Sequence, residues 1–137
     1  MILFLIPDQI KALQFKVLCP SDFAQMYRTF IEAFSSYPIR MDLTKDAFRD
    51  RMIGKVNISY DHSVGVFHSE KLIGFIFNSI NEYEGIKTAY NGGTDVLEDY
   101  WGQNLTKKMY DHVLPILKRD QVKRCILEVI SACPKTP

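Results

Sequence analysis

Cysteine is scarce in this chain, neither sign of charge dominates, and no apolar run is long. The 137 residues include only Cys19, Cys125 and Cys133, an odd number without metal-ligand spacing. That argues against a disulfide framework and against a thiolate metal site. Lys and Arg number 17 against 16 Asp and Glu, a formal charge of +1, so no net field draws the protein to nucleic acid or to an anionic membrane. The opening run Met1 to Ile6 stops at Pro7 and Asp8, well short of the roughly 20 apolar residues that cross a bilayer. It also lacks the basic start and small-residue cleavage site of a secretory signal, so a cytoplasmic protein is expected. The histidines, His62, His68 and His112, are scattered, and no metal site is predicted. Neither G-x-x-x-x-G-K-[ST] nor G-x-G-x-x-G occurs, which excludes nucleotide folds of those kinds.

What is present is 47% hydrophobic residues without repeats or low-complexity tracts, enough for one core over residues 1–137. A short strand is predicted at 15–18, followed by a helix capped by Ser21 with Asp22 in its first turn. Phe23, Met26, Tyr27, Phe30, Ile31 and Phe34 fall on one face at the helical period and read as core. A second helix starts at Thr44, stapled by Leu43 and Phe48, and ends near Gly54. Residues 63–68 and 72–80 read as two strands joined by Ser69, Glu70 and Lys71, an antiparallel hairpin. A third strand covers 88–97, and its Gly92-Gly93 pair predicts a bulge or a close backbone approach. Leu105, Met109, Val113, Ile116 and Leu117 mark another helix, with Pro115 removing one backbone bond. The last strand, 122–130, is almost entirely apolar from Cys125 on, which predicts cover on both faces. The order β-α-α-β-β-β-α-β is a mixed α/β arrangement whose last two strands should run parallel.

Two places draw attention for chemistry. The segment YNGGTDVLEDYWGQNLTKKMY, residues 90–110, runs from a strand through a polar loop into a helix start. Unpaired N–H groups there and the positive end of the helix dipole suit an anion, and Lys107 and Lys108 add charge nearby. The same residues also fit an ordinary helix start capped by Asn104. Glu128 is the ionisable residue of its apolar strand; burial would raise its pKa toward that of a general base, whereas a Glu neutralised by Lys, Arg or backbone partners would be structural. No Ser-His-Asp or Cys-His arrangement is legible, and Cys125 reads as inert.

These residues in this order resemble the GNAT superfamily of acyl-CoA-dependent N-acyltransferases. The resemblance rests on SVGVFHSEKLIGFIFNSI, TAYNGGTDVLEDYWGQNLTKKMYDHVLPILK and CILEVIS. It implies a GNAT-like mixed central sheet with flanking helices, lacking the usual last helix and strands, with acetyl-CoA as acyl donor and an amine as acceptor. It places the pantetheine arm against Asp95, Val96 and Leu97, whose N–H groups would stabilise the oxyanion. The diphosphate would meet Gly102, Gln103, Asn104, Leu105 and Thr106. Glu128 takes the position of the base used by some members, and Tyr37, Arg40, Glu82 and Tyr83 would border the acceptor.

The sequence also departs from the family. Trp101, Asn104 and Thr106 stand at the fixed positions of the phosphate pattern R/Q-x-x-G-x-G/A, and Asp95 and Glu98 add negative charge. Weaker donor binding is expected. Cys133 stands where the family has an Asn, and the family's tyrosine acid has no counterpart. An uncovered strand predicts a homodimer or higher self-association. The rival expectation is a catalytically impaired GNAT-like remnant acting as a dimeric binding or interaction module.

Overall fold

The computed structural model describes residues 13–35 and 43–127 of the chain. Five strands form one sheet in the order β1-β2-β3-β4-β5: β1 (Leu13–Val17), β2 (Val64–His68), β3 (Lys71–Tyr83), β4 (Ile86–Val96) and β5 (Arg124–Ile126). The first four are successively antiparallel, and β5 runs parallel to β4, as the intervening helix required. Both hairpins close with two left-handed residues, Ser69-Glu70 (φ 51° and 70°) and Glu84-Gly85 (φ 55° and 77°). Such turns match the right-handed twist of paired strands. His68 pairs with Lys71, so Lys71 belongs to the strand and not to the turn.

Helix α1 (Phe23–Phe34) covers one face of the sheet. Its buried line is Phe23, Met26, Thr29, Phe30 and Ala33; Tyr27 and Ile31 lie at its margin. Thr29 is tolerated inside because its hydroxyl donates to the Leu72 carbonyl at 2.8 Å. The helix is not capped by Ser21. A 3-10 turn, Pro20–Asp22, precedes it, and the Cys19 N–H donates to the Asp22 carboxylate at 2.9 Å. Thr44 does cap α2 (Lys45–Arg49), its hydroxyl accepting from the Ala47 N–H. The chain then widens into a π-helical stretch, Asp50–Lys55, which closes the predicted helix one residue past Gly54. Phe30, Phe48, Phe75 and Phe77 meet ring against ring beneath α1 and α2.

Helix α3 (Leu105–Arg119) lies on the opposite face and buries Leu105, Met109, Val113 and Leu117. Its His112 stacks on Phe15 of β1, which shares a sheet face with Val66, Gly74 and Val96, the neighbours of Phe75 in alternation. Pro115 is exposed, so the carbonyl it leaves without a donor faces water and the helix continues. One packing expectation fails. In β5 Cys125 is exposed, and Leu127 just after it is 54% exposed, so the described part of this strand is not covered on both faces.

Candidate active site

The site is built where β4 changes its hydrogen-bonding sense. Lys87 gives its carbonyl to the Lys123 N–H, at the start of β5, whereas Leu97 turns its N–H the other way, to the Ile73 carbonyl on the β3 side. Both positions are odd-numbered, and in an unbroken strand they would point alike. The reversal is made by Gly92, the extra residue between the pairs Phe77 with Gly93 and Asn78 with Asn91. A glycine is needed there: a Cβ would sit 2.9 Å from Val56. The predicted bulge is therefore present, and it has a consequence for the edge. Pairing with β5 is described for Thr88, Ala89 and Tyr90. Beyond the bulge, Val96 directs both its N–H and its carbonyl away from β3.

The bulge is braced by polar side chains. Asn91 accepts from the Gly93 N–H at 2.8 Å and donates to the Thr94 hydroxyl and, at 3.2 Å, to the Tyr110 hydroxyl on α3. Asn91, Thr94 and Tyr110 were not singled out as site residues by sequence reasoning. The available signal was a polar run, Asn91 to Thr94, inside a strand otherwise expected to be half-buried.

From Val96 the chain passes through Leu97 and a 3-10 turn, Glu98–Tyr100, to the start of α3. Asp95, Val96 and Leu97 are all buried. The Leu97 N–H is spent inside the sheet, so of these three residues Val96 alone faces the open edge through its backbone. Gly102 (φ 81°) and Asn104 (φ 60°) are both left-handed. Asn104 precedes α3 without a side-chain cap bond, so it serves the helix start by its backbone shape and not as an ordinary capping side chain. Asn is, after Gly, among the residues that best tolerate this conformation. The first bond of α3 of this kind runs from the Lys108 N–H to the Asn104 carbonyl, which leaves the amides of Leu105, Thr106 and Lys107 at the positive end of the dipole. Leu105 is buried, so its contribution to an anion is its amide. Lys107 is paired with Asp111 at 3.1 Å, both exposed.

The other predicted residues lie apart. Glu82 and Tyr83 are exposed at the β3–β4 turn, where Tyr83 pairs with Ile86, while Val96 pairs with Gly74 at the other end of β4. At strand rise the two ends are about 33 Å apart. Glu82 instead lines an open recess of about 510 Å³ with Lys87, Lys123 and Arg124. Glu128, Tyr37 and Arg40 lie outside the described residues.

The structure does align a serine, a histidine and an aspartate, which the sequence did not reveal. The Ser59 hydroxyl is 2.7 Å from His62 Nδ1, and His62 Nε2 is 2.8 Å from Asp120. Hydrogen bonds from Arg119 and then from His62 hold the Asp120 carboxyl at about 2, below its ordinary value of 3.8. The N–H groups of Ser59, His62 and Ser63 are all spent on backbone carbonyls, which fits a clamp between this turn and the end of α3 and not an acyl-transfer nucleophile. Partial desolvation raises the Cys125 thiol, keeping it protonated and a poor nucleophile. Among the described residues no group of His, Cys, Asp or Glu could hold a metal ion, and no helix is long and apolar enough to cross a membrane.

No curated protein matches the chain significantly. Solved structures do. The ribosomal-protein-alanine N-acetyltransferase from Brucella melitensis superposes with a TM-score of 0.70 at 13% identity, over 88% of this chain and 82% of that one. Glucosamine-6-phosphate N-acetyltransferase from Arabidopsis thaliana gives 0.64 at 17%, over 88% and 84%. Arabidopsis thaliana Naa50, in complex with a bisubstrate analogue containing CoA, gives 0.62 at 16%, over 87% and 73%. At such identities these likenesses establish the fold. The family model described as Acetyltransferase (GNAT) family matches residues 23–133. By that match and by the bulged, parallel-flanked β4 leading into α3, the chain belongs to the GNAT acetyltransferase family.

Proposed function

We propose that this protein is an acetyl-CoA-dependent N-acetyltransferase acting on an amine acceptor. The observation that carries the reading is the bulge at Gly92, which turns Val96 to the open edge of β4 immediately before the left-handed entry into α3. An extended donor arm lying along Asp95, Val96 and Leu97 would bring its diphosphate to the amides around Gly102, Gln103, Asn104, Leu105 and Thr106. A neutral amine attacks the thioester carbonyl, the tetrahedral oxyanion is stabilised by the Val96 N–H, since the Leu97 N–H is spent inside the sheet, and the thiolate leaves. Glu128 accepts the amine proton, directly or through water. No covalent intermediate on the protein is required. Tyr37 and Arg40 remain the candidates for acceptor selection, whereas Glu82 and Tyr83 sit at the far end of β4 from Val96. The protein is proposed to act in the cytoplasm as one unit over residues 1–137, without metal, nucleic acid or membrane, and to self-associate through the uncovered side of β5.

Isothermal titration with acetyl-CoA tests the reading. Micromolar binding is expected; no heat at millimolar ligand would reject it and leave the fold as an interaction module.

A further inference from the structure

The open edge of β4 is already taken by the chain itself. The Val96 N–H donates to the Asp95 carboxylate at 2.8 Å, and the Val96 carbonyl accepts from the Trp101 indole N–H at 2.7 Å. Both polar groups that Val96 offers to an extended ligand are therefore occupied by side chains. The contact is made possible by the tight turn between them. The Tyr100 N–H bonds the Leu97 carbonyl and the Trp101 N–H bonds the Glu98 carbonyl, which reverses the chain and folds the indole back against the strand end. A strand edge whose groups are paired cannot take a new strand without breaking those pairs.

We infer that Trp101 and Asp95 form a removable cap over the pairing edge of β4, so that Trp101 acts as a latch that sets the affinity for the acyl donor. The inference rests on the proposed donor site. An arm pairing with Val96 must displace the indole from the carbonyl, and the displaced bond is subtracted from binding. Trp101 is only partly buried, packs at the margin of the core and sits in a turn, so it is the more movable partner, whereas Val96 itself is fixed between Gly74 and the face under α3. Asp95 contributes the second half of the cap through a carboxylate oxygen on the adjacent residue.

The chain has a single tryptophan, so its fluorescence reports this residue alone. Titrating acetyl-CoA into the wild-type protein should move the emission maximum to longer wavelength as the indole leaves Val96. Calorimetric titration of Trp101→Phe, which keeps a ring in the turn and removes the donor, should show affinity about 3- to 10-fold tighter than wild type, the worth of one net hydrogen bond. Both results are required. Unchanged or weaker affinity in Trp101→Phe, or a fixed emission maximum on binding, overturns the latch and leaves the donor site standing. Absence of binding by both proteins at millimolar ligand overturns the donor site and the latch together.

Discussion

Asn104 shows how one residue can change identity while its backbone keeps its role. The family pattern has glycine there, and the φ of 60° explains why: a left-handed residue must turn the chain into α3. Asn meets that demand at a small cost, so the loop shape survives a substitution that by sequence alone suggested a damaged phosphate site. Asn104→Ala should therefore destabilise the fold by about 1 kcal/mol, because alanine tolerates the left-handed region less well than Gly or Asn. Asn104→Gly should leave stability within a few tenths of a kcal/mol of wild type and tighten acetyl-CoA binding by clearing the side chain. Thermal melts of both variants beside a donor titration check the pair of outcomes. An Ala variant as stable as wild type would show that the left-handed turn is not demanded. Trp101 is the contrasting case. Its departure from the pattern removes a possible cation and also installs a hydrogen bond back to Val96, which no spacing rule reveals because it depends on how five residues reverse.

At the scale of elements, α3 is held at both ends by different means. Its start is shaped by Asn104, and its end is tied to the turn at His62 through Asp120, with Lys87 also donating to the Asp120 carbonyl at 2.8 Å. The Asp120 carboxyl titrates at about 2 when folded, below its ordinary 3.8, with the Arg119 hydrogen bond the larger cause and His62 the next. A depressed folded pKa means that the stabilisation is complete above the unfolded value and is lost as the pH falls toward the folded one. Asp120→Asn should therefore melt below wild type at pH 5, with the gap closing between pH 4 and pH 2; melts across that range check it. A gap that persists at pH 2 would mean that the charge is not what holds the helix end. Much of this layer was legible. The stripe of α1, the hairpin of β2 and β3, the bulge at Gly92 and the parallel crossover follow from periodicity and turn residues. The π-helical stretch after Arg49 was not, because Asp50 to Lys55 carries no local signal distinguishing a wider turn from an α-helix. Ser21 does not cap α1 because it lies inside the 3-10 turn Pro20–Asp22, whose start is closed by the Asp22 carboxylate accepting from the Cys19 N–H.

For the whole molecule, the sheet has two free sides among the described residues, β1 and β5, and they are not equivalent. Lys16 of β1 lies over the Phe67 ring, and β1 is covered on one face by α3. A charged residue on an edge strand discourages strand addition. β5 carries its charge at its start, on Arg124, whereas Cys125 and, just past the strand, Leu127 are exposed with no charge between them, so at that end apolar surface and a free edge coincide. The apolar character of this strand was read from sequence as a sign of complete burial. Composition fixes that the strand has apolar side chains and not where their cover comes from, and among the described residues Cys125 and Leu127 lack full cover. If a second copy supplies it, mass should rise with concentration in sedimentation equilibrium, and Leu127→Lys should shift the population to the monomer by placing an unpaired charge on the contact. The position is already 54% exposed in one chain, so the substitution should leave the melting temperature of the monomer within the range of ordinary surface changes. A wild-type protein that stays monomeric across the concentration range would remove β5 as an interface, and a Leu127→Lys protein that associates as wild type does would place the contact elsewhere.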